Sequence, residues 1–188
     1  MTITKAEIKA TIERYINRNP DEGTELLPLL TTVEDSKNVC SRYSFPLHIT
    51  CGAAVINDCG DVLMIHHRAL DKWMLPGGHI EPGDLNLISA CLRELREETD
   101  VRDEAAFSPI GMDMVPIDID IHRIPENPAK GEPAHWHADM RYVFKTTYPV
   151  VNVQLEEVSA HAWHSPLNLH TPRLVRKVTL LTETELSR

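Results

Sequence analysis

The chain has 188 residues, of which 42% are hydrophobic and 25% are charged, and its formal net charge at pH 7 is −9. This length suits one domain with its own core. The negative charge argues against a nucleic acid polymer or an anionic membrane as partner, and no apolar run reaches the roughly 20 residues of a membrane span. A phosphorylated small molecule stays open, because a bound divalent cation can reverse the local field.

Four cysteines are spaced unlike a zinc knuckle or a disulfide scaffold: Cys40, Cys51, Cys59 and Cys91. Free thiols in a reducing cytoplasm are the simpler interpretation. The N-terminal segment has an amphipathic pattern and lacks the apolar core of a signal peptide. A cytoplasmic location is therefore expected.

The first quarter of the chain has a helical pattern. Thr4 and Glu7 form a capping box, and apolar residues then recur at helical spacing. Residues 24–33 predict a second short helix that breaks near Pro28. Residues 35–46 are expected to form a linker. We interpret residues 1–46 as a helical N-terminal extension and residues 47–188 as the main domain.

The main domain opens with two β-rich runs, residues 47–57 and 62–68, joined by a turn. Strict alternation predicts further strands over 116–125 and 135–144, separated by a loop rich in proline and glycine. A last strand is expected after a loop that contains Glu156 and Glu157, and residues 171–185 predict a terminal helix. This order indicates an α/β (α+β) fold with a mixed sheet covered by helices.

Residues 85–99 predict an acidic helix with one apolar face, formed by Ile88, Cys91, Leu92 and Leu95. At about 100° per residue, Glu94, Glu97 and Glu98 share a flank beside that face. Carboxylates at i and i+4 repel one another, and a divalent cation would remove the penalty. Oxygen-only ligands are those that Mg²⁺ and Mn²⁺ prefer.

The segments PGGHIEPGD (76–84) and RELREET (93–99) together resemble the Nudix box, G-x5-E-x7-R-E-U-x-E-E-x-G-U, where U is aliphatic. The resemblance extends over about residues 47–170. It implies the Nudix α-β-α sandwich and the Mg²⁺- or Mn²⁺-dependent hydrolysis of a diphosphate joined to another group.

This box departs from the family pattern in two places. Counted from Gly78, the slot of the first Glu falls on Asp84; counted back from Arg93, it falls on Leu85. One extra residue therefore lies in the loop or first helical turn. Asp100 also replaces the glycine that normally ends the helix. Neither change touches the spacing of the three glutamates.

The resemblance implies roles for single residues. Glu94, Glu97 and Glu98 would be metal ligands together with a backbone carbonyl at Gly77, and Arg93 would orient the carboxylates. The general base would be Glu98, Glu157 or Glu156, in that order of preference. Substrate-binding candidates are Gly78, His79, Arg68, His122, His135, His137 and Asp139.

Two polar strand faces are individual to this sequence: Asp118, Asp120 and His122 on one strand, and His135, His137 and Asp139 on the other. Adjacent in a sheet, they would form one patch of three histidines and three aspartates. The patch is interpreted as an accessory metal site or a substrate-binding wall, since His-x-His-x-Asp puts three potential ligands on one face. An exposed, hydrogen-bonded sheet face is the alternative.

These residues are compatible with three different functions. The first is an enzyme that hydrolyses a nucleoside diphosphate derivative or a similar organic diphosphate. The second is a Nudix-fold sensor that binds a nucleotide without cutting it, and the third is an isopentenyl diphosphate isomerase-like enzyme that would use Cys51. The partner is a small diphosphate in each case, and a homodimer is one open alternative for the assembly.

Overall fold

The structure is a computed structural model that describes residues 3–99, 108–109, 114–147 and 158–186. Four helices are present in this part: α1 (Lys5–Arg18), α2 (Gly23–Asp35), α3 (Leu87–Thr99) and α4 (Pro172–Leu186). Eight strands accompany them: β1 (Leu47–Ile56), β2 (Val62–His67), β3 (Lys72–Met74), β4 (Gly77–His79), β5 (Ser108–Pro109), β6 (Asp118–Ile124), β7 (His135–Lys145) and β8 (Val158–His164). The predicted helices and principal strands are confirmed.

The two N-terminal helices pack against each other, and the N-terminus of α1 is capped. Thr4 accepts a hydrogen bond from the backbone N–H of Glu7, and the Glu7 side chain reaches back to the backbone of Thr4, which confirms the capping box. The predicted break at Pro28 is wrong, because α2 continues through it to Asp35. Buried Leu29 and Val33 anchor the second half of the helix, and this packing outweighs the hydrogen bond that proline removes.

The strands form one mixed sheet around β1 and β7. These two pair in parallel over ten residues, from Leu47 with Trp136 to Ile56 with Lys145. The other pairings are antiparallel: β4 lies against β1, β6 and β5 against β7, and β3 and β8 against β2. Strand β2 pairs with the end of β1, where Ile56 lies opposite Val62. Strand β4 pairs with the middle of β1, where Gly52 lies opposite Gly77. This arrangement confirms the mixed sheet.

Helices cover both faces of the sheet. Alternate residues of β1, including Ile49, Cys51 and Ala53, join one apolar cluster with residues of α1, α2 and α3. Ala54 and Ile56 belong to a second cluster with α4. Side chains alternate across a strand, so the two clusters mark opposite faces. The predicted α-β-α arrangement is confirmed, with α3 held directly beneath β1 and β4.

The N-terminal helices belong to the same core as the sheet. Ile8, Ile12 and Tyr15 of α1 are fully buried, in the cluster that also contains β1, β7 and α3. Lys177 of α4 pairs with Glu22 at 2.7 Å, and Arg173 of α4 pairs with the same carboxylate at 3.6 Å. The first 46 residues therefore pack on the main domain through both apolar and charged contacts.

Two simpler findings concern thiols and membranes. The four cysteines are free; Cys59 is exposed and the other three are buried. Within the described ranges, no helix has the length and apolar character that crossing a membrane would require.

Replacing Ile12 with alanine should lower the free energy of unfolding by about 2–4 kcal/mol, because the side chain is fully buried in the shared core. Because α1 shares that core, thermal or urea unfolding should remain a single transition that moves as a whole. The matched control is Leu27→Ala, at a residue 57% exposed, with an expected change within about 0.5 kcal/mol. Two separate transitions, with only one of them shifted by Ile12→Ala, would show an extension that folds apart from the sheet.

Candidate active site

Helix α3 is set in place by its first turn and its apolar face. Asn86 accepts a hydrogen bond from the N–H of Ser89 at 2.9 Å, and the Ser89 hydroxyl accepts from the N–H of Asn86 at 3.0 Å. This reciprocal pair satisfies two of the backbone donors that a helix start leaves open. Cys91 and Leu95 are fully buried against the sheet. The acidic flank of α3 consequently faces the glycines of β4.

Arg93 is the centre of this flank, and all five of its N–H groups donate hydrogen bonds. Two reach the carboxylate of Asp84 at 3.1 and 3.0 Å, and one reaches the carbonyl of His79 at 2.7 Å. The other two reach Glu94 at 2.9 Å and Glu97 at 3.1 Å. Burial by itself would lower the pKa of Arg93, but Asp84 and Glu94 outweigh it and raise that pKa. The guanidinium thus joins the loop, strand β4 and two glutamates.

Two of the three predicted glutamates border the glycine strand. Glu98 is 6% exposed and accepts a hydrogen bond from the backbone N–H of Gly77 at 2.9 Å. The Glu94 side chain is 14% exposed and lies beside Gly78. The Glu97 side chain is 54% exposed and is linked to Glu94 through Arg93. The structure therefore brings Glu94 and Glu98 together with the predicted glycines and leaves Glu97 nearer to solvent.

Both glycines are required by close approach. Gly77 has a φ of +156°, and a Cβ there would overlap the carbonyl oxygen of Cys51. At Gly78, a Cβ would lie 2.5 Å from a carboxylate oxygen of Glu94. A larger residue at Gly77 would push β4 away from β1, and one at Gly78 would displace the Glu94 carboxylate. The narrow space between β4 and α3 is the place where carboxylate oxygens and backbone carbonyls can converge.

The donor chemistry of this space fits a hard divalent cation. Glu94, Glu97 and Glu98 supply carboxylate oxygens, and the Gly77 carbonyl predicted from the family resemblance would add a further oxygen. Such an all-oxygen set, partly open to solvent, suits Mg²⁺ or Mn²⁺, which keep water ligands and bind phosphates. No nitrogen or sulfur ligand is needed.

A second polar group lies on the sheet where β6 and β7 pair. Asp120 is opposite Asp139, and His122 is opposite His137, so the two predicted polar faces are adjacent. Arg141 donates to Asp139 at 3.0 Å, to Asp118 at 3.1 Å and to Asp120 at 2.8 Å. Sequence analysis missed Arg141, although its place opposite Asp118 continues the alternation of His137 and Asp139. The three aspartates are thus tied to one guanidinium.

Five histidines gather at the end of this patch: His48, His79, His122, His135 and His137. Burial, followed by the neighbouring imidazoles, lowers the pKa of His137 to about 2. Burial is also the main reason that the pKa of His79 falls to about 4. Sequence analysis missed His48, which joins the group because β1 pairs in parallel with β7 and sets His48 beside His137.

One predicted site residue, Arg68, lies apart from these groups. Arg68 is exposed after the end of β2, where its described hydrogen bond goes to the carbonyl of Val158 at 3.4 Å. Glu157, with Glu156, lies outside the described residues, as does Asp100.

A cavity of about 500 Å³ between α2 and the β6 side of the sheet is lined by Leu26, Leu29, Leu47, Ile121, Trp136, Arg173 and others. None of the α3 glutamates lines that cavity.

The family model of the NUDIX domain matches residues 46–180, which is most of the chain. The chain belongs to the Nudix family. The predicted enzyme class, a hydrolase acting on pyrophosphate bonds, is confirmed with the family. The matched range begins one residue before β1 and does not include the two N-terminal helices.

Solved structures share this Nudix fold at low sequence identity. An Ap4A hydrolase from C. elegans is 16% identical with a TM-score of 0.55, over 72% of this chain and 98% of that chain. A Nudix hydrolase from Clostridium perfringens is 21% identical with a TM-score of 0.51, over 71% and 97%. The E. coli dihydroneopterin triphosphate pyrophosphohydrolase is 15% identical with a TM-score of 0.51, over 72% and 95%. Curated protein sequences give no significant match.

The contacts of Asp84 show which residue supplies a carboxylate near the altered first-glutamate position of the Nudix box. Asp84 is 4% exposed and pairs with Arg93 through both carboxylate oxygens, whereas Leu85 is 63% exposed. The turn at Glu81 fixes this geometry, because the Glu81 N–H donates to the Asp84 carboxylate at 2.7 Å. The box therefore lacks a glutamate at this position but keeps a carboxylate, and the extra residue is accommodated in the exposed loop.

Replacing Asp84 with alanine should destabilise the protein by about 3 kcal/mol, because it removes two of the five acceptors of a largely buried guanidinium. Chemical denaturation at pH 7 measures this loss. Leu85→Ala is the matched control at the alternative box position, and its effect should stay within about 0.5 kcal/mol. Equal effects of the two changes would contradict the role given to Asp84.

Proposed function

We propose that the protein hydrolyses a diphosphate linkage in a nucleoside diphosphate derivative or a similar organic diphosphate, and that it requires Mg²⁺ or Mn²⁺. One observation carries the proposal: Glu98 accepts a hydrogen bond from the backbone of Gly77, the carboxylate of Glu94 lies against Gly78, and Glu97 is held beside Glu94 by Arg93. An all-oxygen site of this kind, within a Nudix domain, is suited to hold a cation against phosphate oxygens.

The three glutamates and a carbonyl at Gly77 would hold the metal. When bound, the ion supplies charge neutralisation on the phosphate oxygens and a lowered pKa for an attacking water. Arg93 acts as a positioning residue, since it fixes Glu94 and Glu97 through hydrogen bonds of 2.9 and 3.1 Å. The hydrogen bond from Gly77 holds Glu98 at the strand in the same way.

Glu98 is our first choice for the general base, followed by Glu157. Its carboxylate lies at the junction of α3 and β4, so it is close to the place where a nucleophilic water would approach a phosphate bound at the glycines. Substrate contacts are assigned to Gly78 and His79 on β4, to His122, His135, His137 and Asp139 on the sheet, and to Arg68 after β2. His79 directly follows the glycines, so it is the best placed of these side chains.

The alternatives are less well supported by the same geometry. The sensor hypothesis drew on the missing first glutamate of the box, and Asp84 now supplies a carboxylate at Arg93. The isomerase hypothesis needs Cys51 to face a substrate, but Cys51 is 1% exposed in the core between β1 and α3. A homodimer and a cytoplasmic location stay predictions.

Purified protein should release phosphate-containing products from at least one member of a panel of nucleotide sugars, dinucleotides and nucleoside triphosphates, only when Mg²⁺ or Mn²⁺ is present. Coupled phosphatase detects the monophosphate products. If calorimetry shows binding of panel compounds but none is cut, the sensor function replaces the hydrolase.

Glu97→Gln and Glu98→Gln should each lower kcat by orders of magnitude on the best panel substrate, because each removes a charged oxygen ligand. The matched control is Glu13→Gln, an exposed glutamate on α1 with the same chemical change. Raising the Mg²⁺ concentration should restore part of the activity of Glu97→Gln, whose side chain is the most exposed of the three. Unchanged rates in both variants would rule out the metal assignment.

A further inference from the structure

Three imidazoles converge at the start of β1 and β7. One ring nitrogen from each of His48, His135 and His137 lies within 4.8 Å of the others. His48 and His135 are buried, at 1% and 4% exposure. Among the described residues, no other set of histidine, cysteine or acidic ligands is grouped so closely. This trio is distinct from the glutamates of α3.

The tautomers of two of these rings follow from backbone contacts. Nδ1 of His135 lies 2.7 Å from the carbonyl of Pro133, and Nδ1 of His48 lies 3.3 Å from that of Ser44. A carbonyl only accepts, so Nδ1 carries the proton in both neutral rings and Nε2 carries the lone pair. A backbone carbonyl on the remote nitrogen is the usual support of a metal-binding histidine.

His48 provides a second, independent observation. Its Nε2 is buried and has no hydrogen-bond partner among the described residues. A buried acceptor without a hydrogen-bond partner destabilises the folded state, because it has lost its contact with water and gained no replacement. A metal ion is a partner that would satisfy such a lone pair.

The spacing of the two nitrogens on β7 suits a tetrahedral ion. Nε2 of His135 and Nε2 of His137 are 3.2 Å apart. Two ligands of a tetrahedral Zn²⁺ with bonds of about 2.0 Å are separated by about 3.3 Å. In the metal-free chain His137 donates its proton to His135, and an ion between the two nitrogens would replace that hydrogen bond.

We propose that His48, His135 and His137 form a site for a divalent transition metal, with Zn²⁺ as the best fit. Nitrogen ligands favour Zn²⁺ over Mg²⁺, so the two kinds of site would select different ions. Three protein ligands leave one tetrahedral position for water or another donor. His79 lies beside the trio, with its ring centroid 5.2 Å from that of His48 and 5.3 Å from that of His137. The proposal does not rest on the hydrolytic function.

The site is tested on full-length protein stripped of metal with a chelator and then exposed to Zn²⁺ in excess Mg²⁺. One Zn²⁺ per chain should remain after desalting, as measured by elemental analysis. His135→Gln and His137→Gln should each raise the Kd for Zn²⁺ at least about 100-fold, since loss of a ligand should cost at least as much as loss of its outer support. Circular dichroism checks that each variant is folded.

Two matched controls separate this site from others. His66→Gln makes the same exchange on β2, outside the trio, and should keep the wild-type affinity. Glu97→Gln should also leave the Zn²⁺ stoichiometry unchanged. Loss of Zn²⁺ in Glu97→Gln with retention in His137→Gln would overturn the proposal, because the ion would then sit on the carboxylates. Failure of the wild type to retain Zn²⁺ would overturn it as well.

Cobalt gives a readout that does not depend on the variants. Co²⁺ bound by nitrogen ligands in a tetrahedral site absorbs strongly in the visible range, whereas octahedral Co²⁺ among oxygens absorbs weakly. The wild-type protein should show the strong spectrum with one equivalent of Co²⁺, and Zn²⁺ should abolish it while Mg²⁺ should not. A weak spectrum, or displacement by Mg²⁺, would contradict the histidine site.

Discussion

The five-donor arrangement of Arg93 is the interaction on which the active-site region depends. Three like-charged carboxylates around one helical turn and the adjacent loop repel one another unless a cation lies among them. The guanidinium supplies that cation in a planar form, and its fixed fork directs two donors at Asp84 and one each at Glu94 and Glu97. Because the fifth donor holds the carbonyl of His79, the glycine strand is tied to the same centre. A lysine could not make these contacts together.

Strand β1 links the two polar groups of the molecule. Its parallel partner β7 brings His137 beside His48, and its antiparallel partner β4 brings Gly77 beside Gly52. Each register therefore sets one group: the histidines at the start of β1 and the glycine–carboxylate space further along. The strand itself is buried throughout, so neither register can slip without moving apolar residues into the wrong face.

Local patterns were sufficient to predict the helices and the acidic flank. The spacing of Glu94, Glu97 and Glu98 depends only on helical geometry, and the capping box at Thr4 depends on residues three positions apart. The strands of the polar patch were found for a similar reason, since alternation is visible within each strand.

Contacts between distant segments could not be predicted from these local patterns. His48 and Arg141 join their polar groups only through strand pairing. Helix α2 continues through Pro28 because its buried residues pack against a core formed by other segments. Asp84 was correctly noticed as a departure, but its partner could be known only from the folded loop.

The exposed Leu85 and the short side chain of Asp84 have a joint consequence. An aspartate is one methylene shorter than a glutamate, so its backbone must come nearer to Arg93 to make the same bidentate contact. The additional residue lengthens the loop enough for that approach, and the side chain of Leu85 is left exposed to solvent. The shorter acid and the extra residue are thus a single compensated change. Lengthening the acid alone, or shortening the loop alone, would move the carboxylate away from the guanidinium.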